Sequence, residues 1–100
     1  MTEVEDQTGI ETTAKSGYYP KWKVILHNDN KTTMEFVTEI LRRFFNKQLP
    51  DALKLMIQVH EQGCGIAGVY PKEQAEFRIE QSISLARGAG FPLTLTMEEA

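Results

Sequence analysis

Hydrophobic and polar positions change their period several times along the chain, and each change predicts an element. Residues 18–28, YYPKWKVILHN, are rich in aromatic and β-branched side chains, which is a strand pattern. A polar run follows from His27 to Thr33. Thr32 and Glu35 have the Thr-x-x-Glu spacing of a capping box and predict a helix start. Met34, Val37, Ile40, Leu41, Phe44 and Phe45 then recur on one helical face, to about Asn46. KQLPD breaks that helix, Pro50 and Asp51 open a second, and Gly63 ends it. GCGIAGVYP has a short apolar centre, Ile66 to Tyr70, behind a glycine turn, and predicts a strand. Pro71 starts a third helix with an apolar stripe at Ala75, Ile79, Ile83 and Ala86, and Gly88 and Gly90 close it. FPLTLTMEE alternates Leu93, Leu95 and Met97 against threonines, a half-exposed strand. The order β-α-α-β-α-β predicts an α/β fold, an α+β sandwich. Its three-stranded antiparallel-type sheet would pack against three helices.

Composition narrows the class. One hundred residues, 41% of them apolar, supply one core but not two. No apolar run approaches the ~20 residues that would cross a bilayer, and residues 1–20 have neither a basic nor an apolar leader region. The single cysteine, Cys64, has no internal disulfide partner, and no Cys/His cluster suggests zinc. A cytoplasmic, reduced protein without metal or cofactor is expected. The net charge of −3 is concentrated at one end: Glu3, Glu5, Asp6 and Glu11 stand against Lys15, and the acids and bases beyond residue 20 balance. The body therefore carries no basic stripe for phosphates, so neither nucleic acid nor membrane is an expected partner. Residues 1–18 read as a flexible extension, because so polar a segment buries too little surface to offset its ordering entropy. Residues 19–100 read as the folded domain.

Chemistry concentrates in HNDNKTTMEF, His27 to Phe36. As a turn it is unremarked, since Asn and Asp are common turn formers. Asn28 and Asp29, however, put oxygen acceptors at a strand-to-helix junction, and a neutral His60 ring adds another acceptor. Met34, Val37, Met56 and Val59 give flexible and branched apolar surface on two successive helices. Acceptors beside an apolar cavity suit a cation carrying a greasy side chain, such as the α-amino end of a peptide with a bulky first residue. Two other readings stay open from the residues alone. The Met and Val positions are equally what a plain core would use, and Cys64 with His60 is conceivable as a nucleophile pair. No nucleophile elbow, phosphate loop or catalytic carboxylate pair is present, so no catalytic residue is assigned.

The stretches WKVILHNDNKTTMEFV, LMIQVHEQG, GVYPKEQAE and FPLTLTMEEA, in that order, resemble the ClpS family of Clp protease adaptors. The resemblance covers Tyr19 to Ala100. It implies a small α/β sandwich similar to the C-terminal domain of the ribosomal stalk protein, and no enzymatic activity. It also implies recognition of N-degron proteins by a free α-amino group and a first residue of Leu, Phe, Tyr or Trp. Delivery would be to a Clp AAA+ unfoldase of ClpA or ClpC type. By the same resemblance Asn28, Asp29 and His60 match the residues that hold the amine. Thr32, Met34, Val37, Met56, Val59 and Leu93 match the lining of the side-chain pocket, and the N-terminal extension matches the segment used in handover.

Three positions depart from the family's pattern. Asn30 stands where a second Asp is common, which removes a negative charge from the rim. His27 stands where an apolar residue is usual, and a ring facing the pocket would narrow or polarise it. Thr33 replaces a common proline, which is expected to loosen the loop. A generic interaction domain related to the ribosomal stalk domain, with no amine pocket, is the alternative.

Overall fold

The computed structural model describes residues 20–100; the expected extension, residues 1–18, lies outside them. The elements are β1 (Lys21–His27), α1 (Met34–Phe44), α2 (Leu49–Gln62), β2 (Cys64–Pro71), α3 (Lys72–Gly88) and β3 (Thr94–Glu99). This is the β-α-α-β-α-β order read from the periodicity. The strands form one antiparallel sheet in the order β2-β1-β3.

β1 is central, and its alternation sets the layers. Val24 and Leu26 point inward and are buried, opposite Met97 and Leu95 of β3. Between Val24 and Ile25 the register with β2 slips, so Ala67 is an extra residue on β2, a bulge. The three helices cover this inner face. Val37, Ile40 and Leu41 of α1, Ala52, Leu55, Met56 and Val59 of α2, and Ala75 and Ala86 of α3 complete the core. The outer face has no helix: Ile66 and Val69 stay exposed there, and Lys23 pairs with Glu98 at 3.4 Å.

The helix ends show where pattern and structure part. The N-cap of α1 is Thr33, whose Oγ1 accepts from the Phe36 N–H at 3.1 Å. The capping-box reading was therefore one residue early, because Thr32 is engaged elsewhere. The cap offsets the expected loosening at Thr33: a side-chain cap contributes about 1 kcal/mol, similar to what a proline contributes by restricting the unfolded chain. α1 ends at Phe44 rather than near Asn46, since Asn46 adopts a left-handed φ of 54°. The Arg78 guanidinium, stacked 4.3 Å over the Tyr70 ring, caps the same end by donating to the Phe44 carbonyl at 2.6 Å. Burial pushes the Tyr70 hydroxyl pKa up, against the opposing pull of Arg78. On α3 the fully buried line is Ala75, Ser82 and Ala86, with Ile79 and Ile83 half-buried beside it. Ser82 can sit there because its hydroxyl donates to the Arg78 carbonyl at 2.7 Å.

Two glycines answer different needs. Gly63 ends α2 with φ 91°, a conformation that costs other residues energy. At Gly65 a Cβ would stand 2.7 Å from Leu55 Cδ1 and 3.1 Å from Val59 Cγ2, so the side chain is excluded by the α2–β2 contact. Gly65→Ala is expected to lower unfolding free energy by ~1–3 kcal/mol through overpacking. Gly88→Ala, where a Cβ meets nothing within 4 Å, should leave it unchanged or slightly raised. Urea denaturation of both variants checks the pair.

Candidate functional site

The site is built where β1 ends, α1 begins and α2 ends. The Asn28 N–H donates to the Gly63 carbonyl at 2.9 Å, and the Gly63 N–H donates to the Val59 carbonyl at 2.8 Å. These bonds tie the start of the polar loop to the last turn of α2, the turn that carries His60. The loop then closes on Asp29. Its Oδ1 accepts from the Lys31 N–H at 2.8 Å and the Thr32 N–H at 2.7 Å, and its Oδ2 accepts from the Thr32 hydroxyl at 2.7 Å. Thr32 is thus a loop fastener before it is a pocket residue, which is why the cap passes to Thr33.

A cavity of about 470 Å³ opens over this corner. Its rim is Asn28, Asp29, Asn30, Lys31, Thr32, Thr33 and His60, with Met34 beside them. Its apolar wall is Leu26, Val37, Met56, Val59 and Leu93. Exposure divides the two: Met34 is 55% exposed at the mouth, whereas Met56 and Val59 are 6% and Leu93 is 1% exposed. Every residue expected at the site borders this one cavity, including Thr32 and Leu93, for which resemblance was the sole ground. Val37, Met56 and Val59 are core residues as well, one face of each serving the core and another the cavity, whereas Met34 is not part of the core.

Two expectations change. His27 borders the cavity, but its Nε2 lies 2.7 Å from Thr96 Oγ1. Thr96 sits on the outer face of the sheet, opposite Ile25 in register. The ring's Nε2 is therefore engaged at the outer face, while the residue still borders the cavity. Cys64 is exposed at the start of β2, opposite His27 in register, and is not among the residues lining the cavity that His60 borders. The Cys64–His60 nucleophile reading gains nothing from this placement.

Sequence reasoning passed over Arg87. Its Nη1 donates to the carbonyls of Phe91 at 2.9 Å and Leu93 at 3.0 Å, fixing the turn that presents Leu93 to the cavity. Phe91 is held from the other side by Phe36, with ring centroids 4.9 Å apart. Arg87 also acts on Asp29. Partial burial raises the Asp29 pKa, but the hydrogen bonds from Thr32 and Lys31, together with the Arg87 charge, outweigh it and hold the pKa below the ordinary 3.8. No pattern in the sequence links residues 29 and 87; only the packing of α3 against the sheet does.

A family model described as "ATP-dependent Clp protease adaptor protein ClpS" matches residues 18–96. The chain belongs to the ClpS family. A ClpS adapter from Clostridium acetobutylicum is 54% identical over 78 residues, 78% of this chain and 77% of that protein. One from Desulfatibacillum aliphaticivorans is 50% identical over 88 residues, 88% of this chain and 85% of that protein. Among solved structures, Agrobacterium tumefaciens ClpS2 bound to L-phenylalaninamide superposes with a TM-score of 0.80. It is 31% identical and covers 83% of this chain and all of that one. Among the described residues, no helix is long and apolar enough to cross a membrane.

The lowered Asp29 pKa fixes a sign. A group depressed in the folded state stabilises it above its unfolded pKa, about 3.9, and that contribution is lost as pH falls through the folded value. The amide resonances of Lys31 and Thr32 should therefore titrate together, with a midpoint below 3.8. Amide shifts followed by NMR from pH 6 to pH 2 measure this; a midpoint above 3.8 would contradict the bonding described.

Proposed function

We propose that this chain is an adaptor that captures proteins by a free α-amino group and a bulky hydrophobic first residue, Leu, Phe, Tyr or Trp. It hands them to a Clp AAA+ unfoldase, of ClpA or ClpC type, for proteolysis. The observation that carries this reading is the division of one cavity into a rim of acceptors and a buried apolar wall. An ammonium offers three donors, and Asn28, Asp29 and His60 are its acceptors. The side chain next to it enters between Met56, Val59 and Leu93, and burying a Leu or Phe there contributes about 1.5–3 kcal/mol. Met34 covers the mouth, where a flexible thioether accommodates flat and γ-branched shapes. L-phenylalaninamide, the ligand of the Agrobacterium ClpS2 structure, has both parts: a free amine and an aromatic side chain.

Asp29 acts in two ways. Most of its acceptor capacity closes the loop, so its service to the ligand is its charge and the remaining lone pair of Oδ2. Asn28 and His60 supply the other contacts. Asn30 is exposed at the rim, where a missing charge matters little in salt. Residues 1–18 serve handover to the unfoldase rather than capture; the acidic charge concentrated there and the family resemblance support this.

Calorimetry with a Phe-Ala dipeptide amide and its N-acetyl form tests capture. Acetylation removes the charge and two donors, each charge-assisted bond being worth about 1.5–3 kcal/mol, so affinity should fall by ~100-fold or more. Equal affinity for the two forms would refute the reading. Asp29→Asn keeps one oxygen for the Lys31 and Thr32 amides but puts an NH2 donor where Oδ2 stood, so it should weaken binding roughly 10-fold or more by loss of charge and of that acceptor, and Asp29→Ala should weaken it further because the loop also opens. In a reconstituted degradation assay, deleting residues 1–17 should leave peptide affinity within about twofold while slowing turnover. Turnover as fast as with the full chain would remove the handover role.

A further inference from the structure

We infer that Thr38, on α1, is a positioning residue that sets the selectivity of the cavity by fixing the Met56 side chain. The inference rests on the amine-pocket reading and names what decides among first residues. Thr38 is half-buried and does not itself line the cavity. Its Oγ1 lies 2.8 Å from the Met34 carbonyl and 2.9 Å from Met56 Sδ. The hydroxyl has one proton for two acceptors: turned to the carbonyl it makes the common i−4 back-bond of a helical threonine, and turned to Met56 Sδ it bridges the two helices. The contact to sulfur crosses from α1 to α2 and is closer than apolar atoms pack, so hydroxyl and thioether share a polar contact.

A thioether is a weak acceptor, and the energy of this contact is small. Its effect is geometric. An unrestrained methionine turns about three bonds and reshapes itself around whatever is packed against it. Drawn to the hydroxyl at sulfur, Met56 is biased toward one rotamer with its terminal methyl group still free to turn, and the buried wall it shares with Val59 and Leu93 is biased toward one contour. Met34, at the mouth, is joined to the same hydroxyl through its backbone carbonyl. One side chain thus couples the mouth residue of α1 to the wall residue of α2. A wall of fixed contour separates Leu from Phe and Trp by shape, whereas a wall free to adapt would accept them more evenly.

Peptides differing only in their first residue, Leu, Phe or Trp, and labelled at the C-terminus, are titrated by fluorescence anisotropy against five forms of the full chain. These are the unchanged chain, Thr38→Val, Thr38→Ser, and Thr38→Val combined with Met56→Leu, with Met56→Leu alone as its reference. Thr38→Val keeps the shape and deletes the hydroxyl, and the spread between best and poorest first residue should shrink at least threefold. Thr38→Ser retains the hydroxyl and should keep the original spread within twofold. On the Met56→Leu background, Thr38→Val should alter the spread less than twofold, because its object is gone. An unaltered spread in Thr38→Val, a Thr38→Ser that behaves like Thr38→Val, or an effect undiminished on the Met56→Leu background overturns the inference. An unchanged chain that binds all three alike also overturns it; one that binds none overturns the amine-pocket reading first.

Discussion

The Asp29 carboxylate collects three donors from its own loop, and the geometry of the cavity depends on that closure. The corner is partly exposed, so this closure acts mainly by fixing the loop's conformation. The backbone N–H groups of Lys31 and Thr32 are taken up by one side chain. The loop is thereby held in a single turn between β1 and α1. A second tie, from the Asn28 N–H to the Gly63 carbonyl, fixes that turn against the end of α2. Gly63 can offer its carbonyl there because it reverses the chain in a left-handed conformation. Two local devices thus bring side chains 28, 29 and 60 to one rim.

The wall of the cavity follows from the sheet being covered on one face only. Val37, Met56 and Val59 face the sheet from two helices, and Leu93 closes the space from the turn before β3. Arg87 joins wall and rim, since it braces the turn carrying Leu93 and lowers the pKa of Asp29 by its charge. With Asn30 neutral and Arg87 near Asp29, the rim holds little excess negative charge. An amine would then be chosen by the placement of acceptors more than by a general field.

Much of this was legible in the chain. Element order came from the shift between periods of two and of 3.6, because core-facing positions obey those periods wherever one face is buried. The acceptor loop announced itself as polar residues wedged between a strand and a helix. What was misread involved competition for a single side chain. Thr32 has capping-box spacing, yet its hydroxyl goes to Asp29, and Thr33 caps instead. His27 does border the cavity, as a rim residue would, while strand alternation brings its ring to Thr96 on the outer face. What was passed over acts mostly between elements: Arg87 on Asp29 and Thr38 on Met56, besides the local brace of Arg87 on Leu93. Thr38 is polar and adjoins the apolar stripe of α1, so pattern alone assigns it to solvent.

The most direct measurement is a crystal structure of the full chain with L-phenylalaninamide. The account predicts its ammonium within hydrogen-bonding distance of the Asn28 and His60 side chains, near the Asp29 carboxylate, and its ring between Met56, Val59 and Leu93. A ligand bound elsewhere, or seated with its amine turned to solvent and its ring outside that wall, would contradict it.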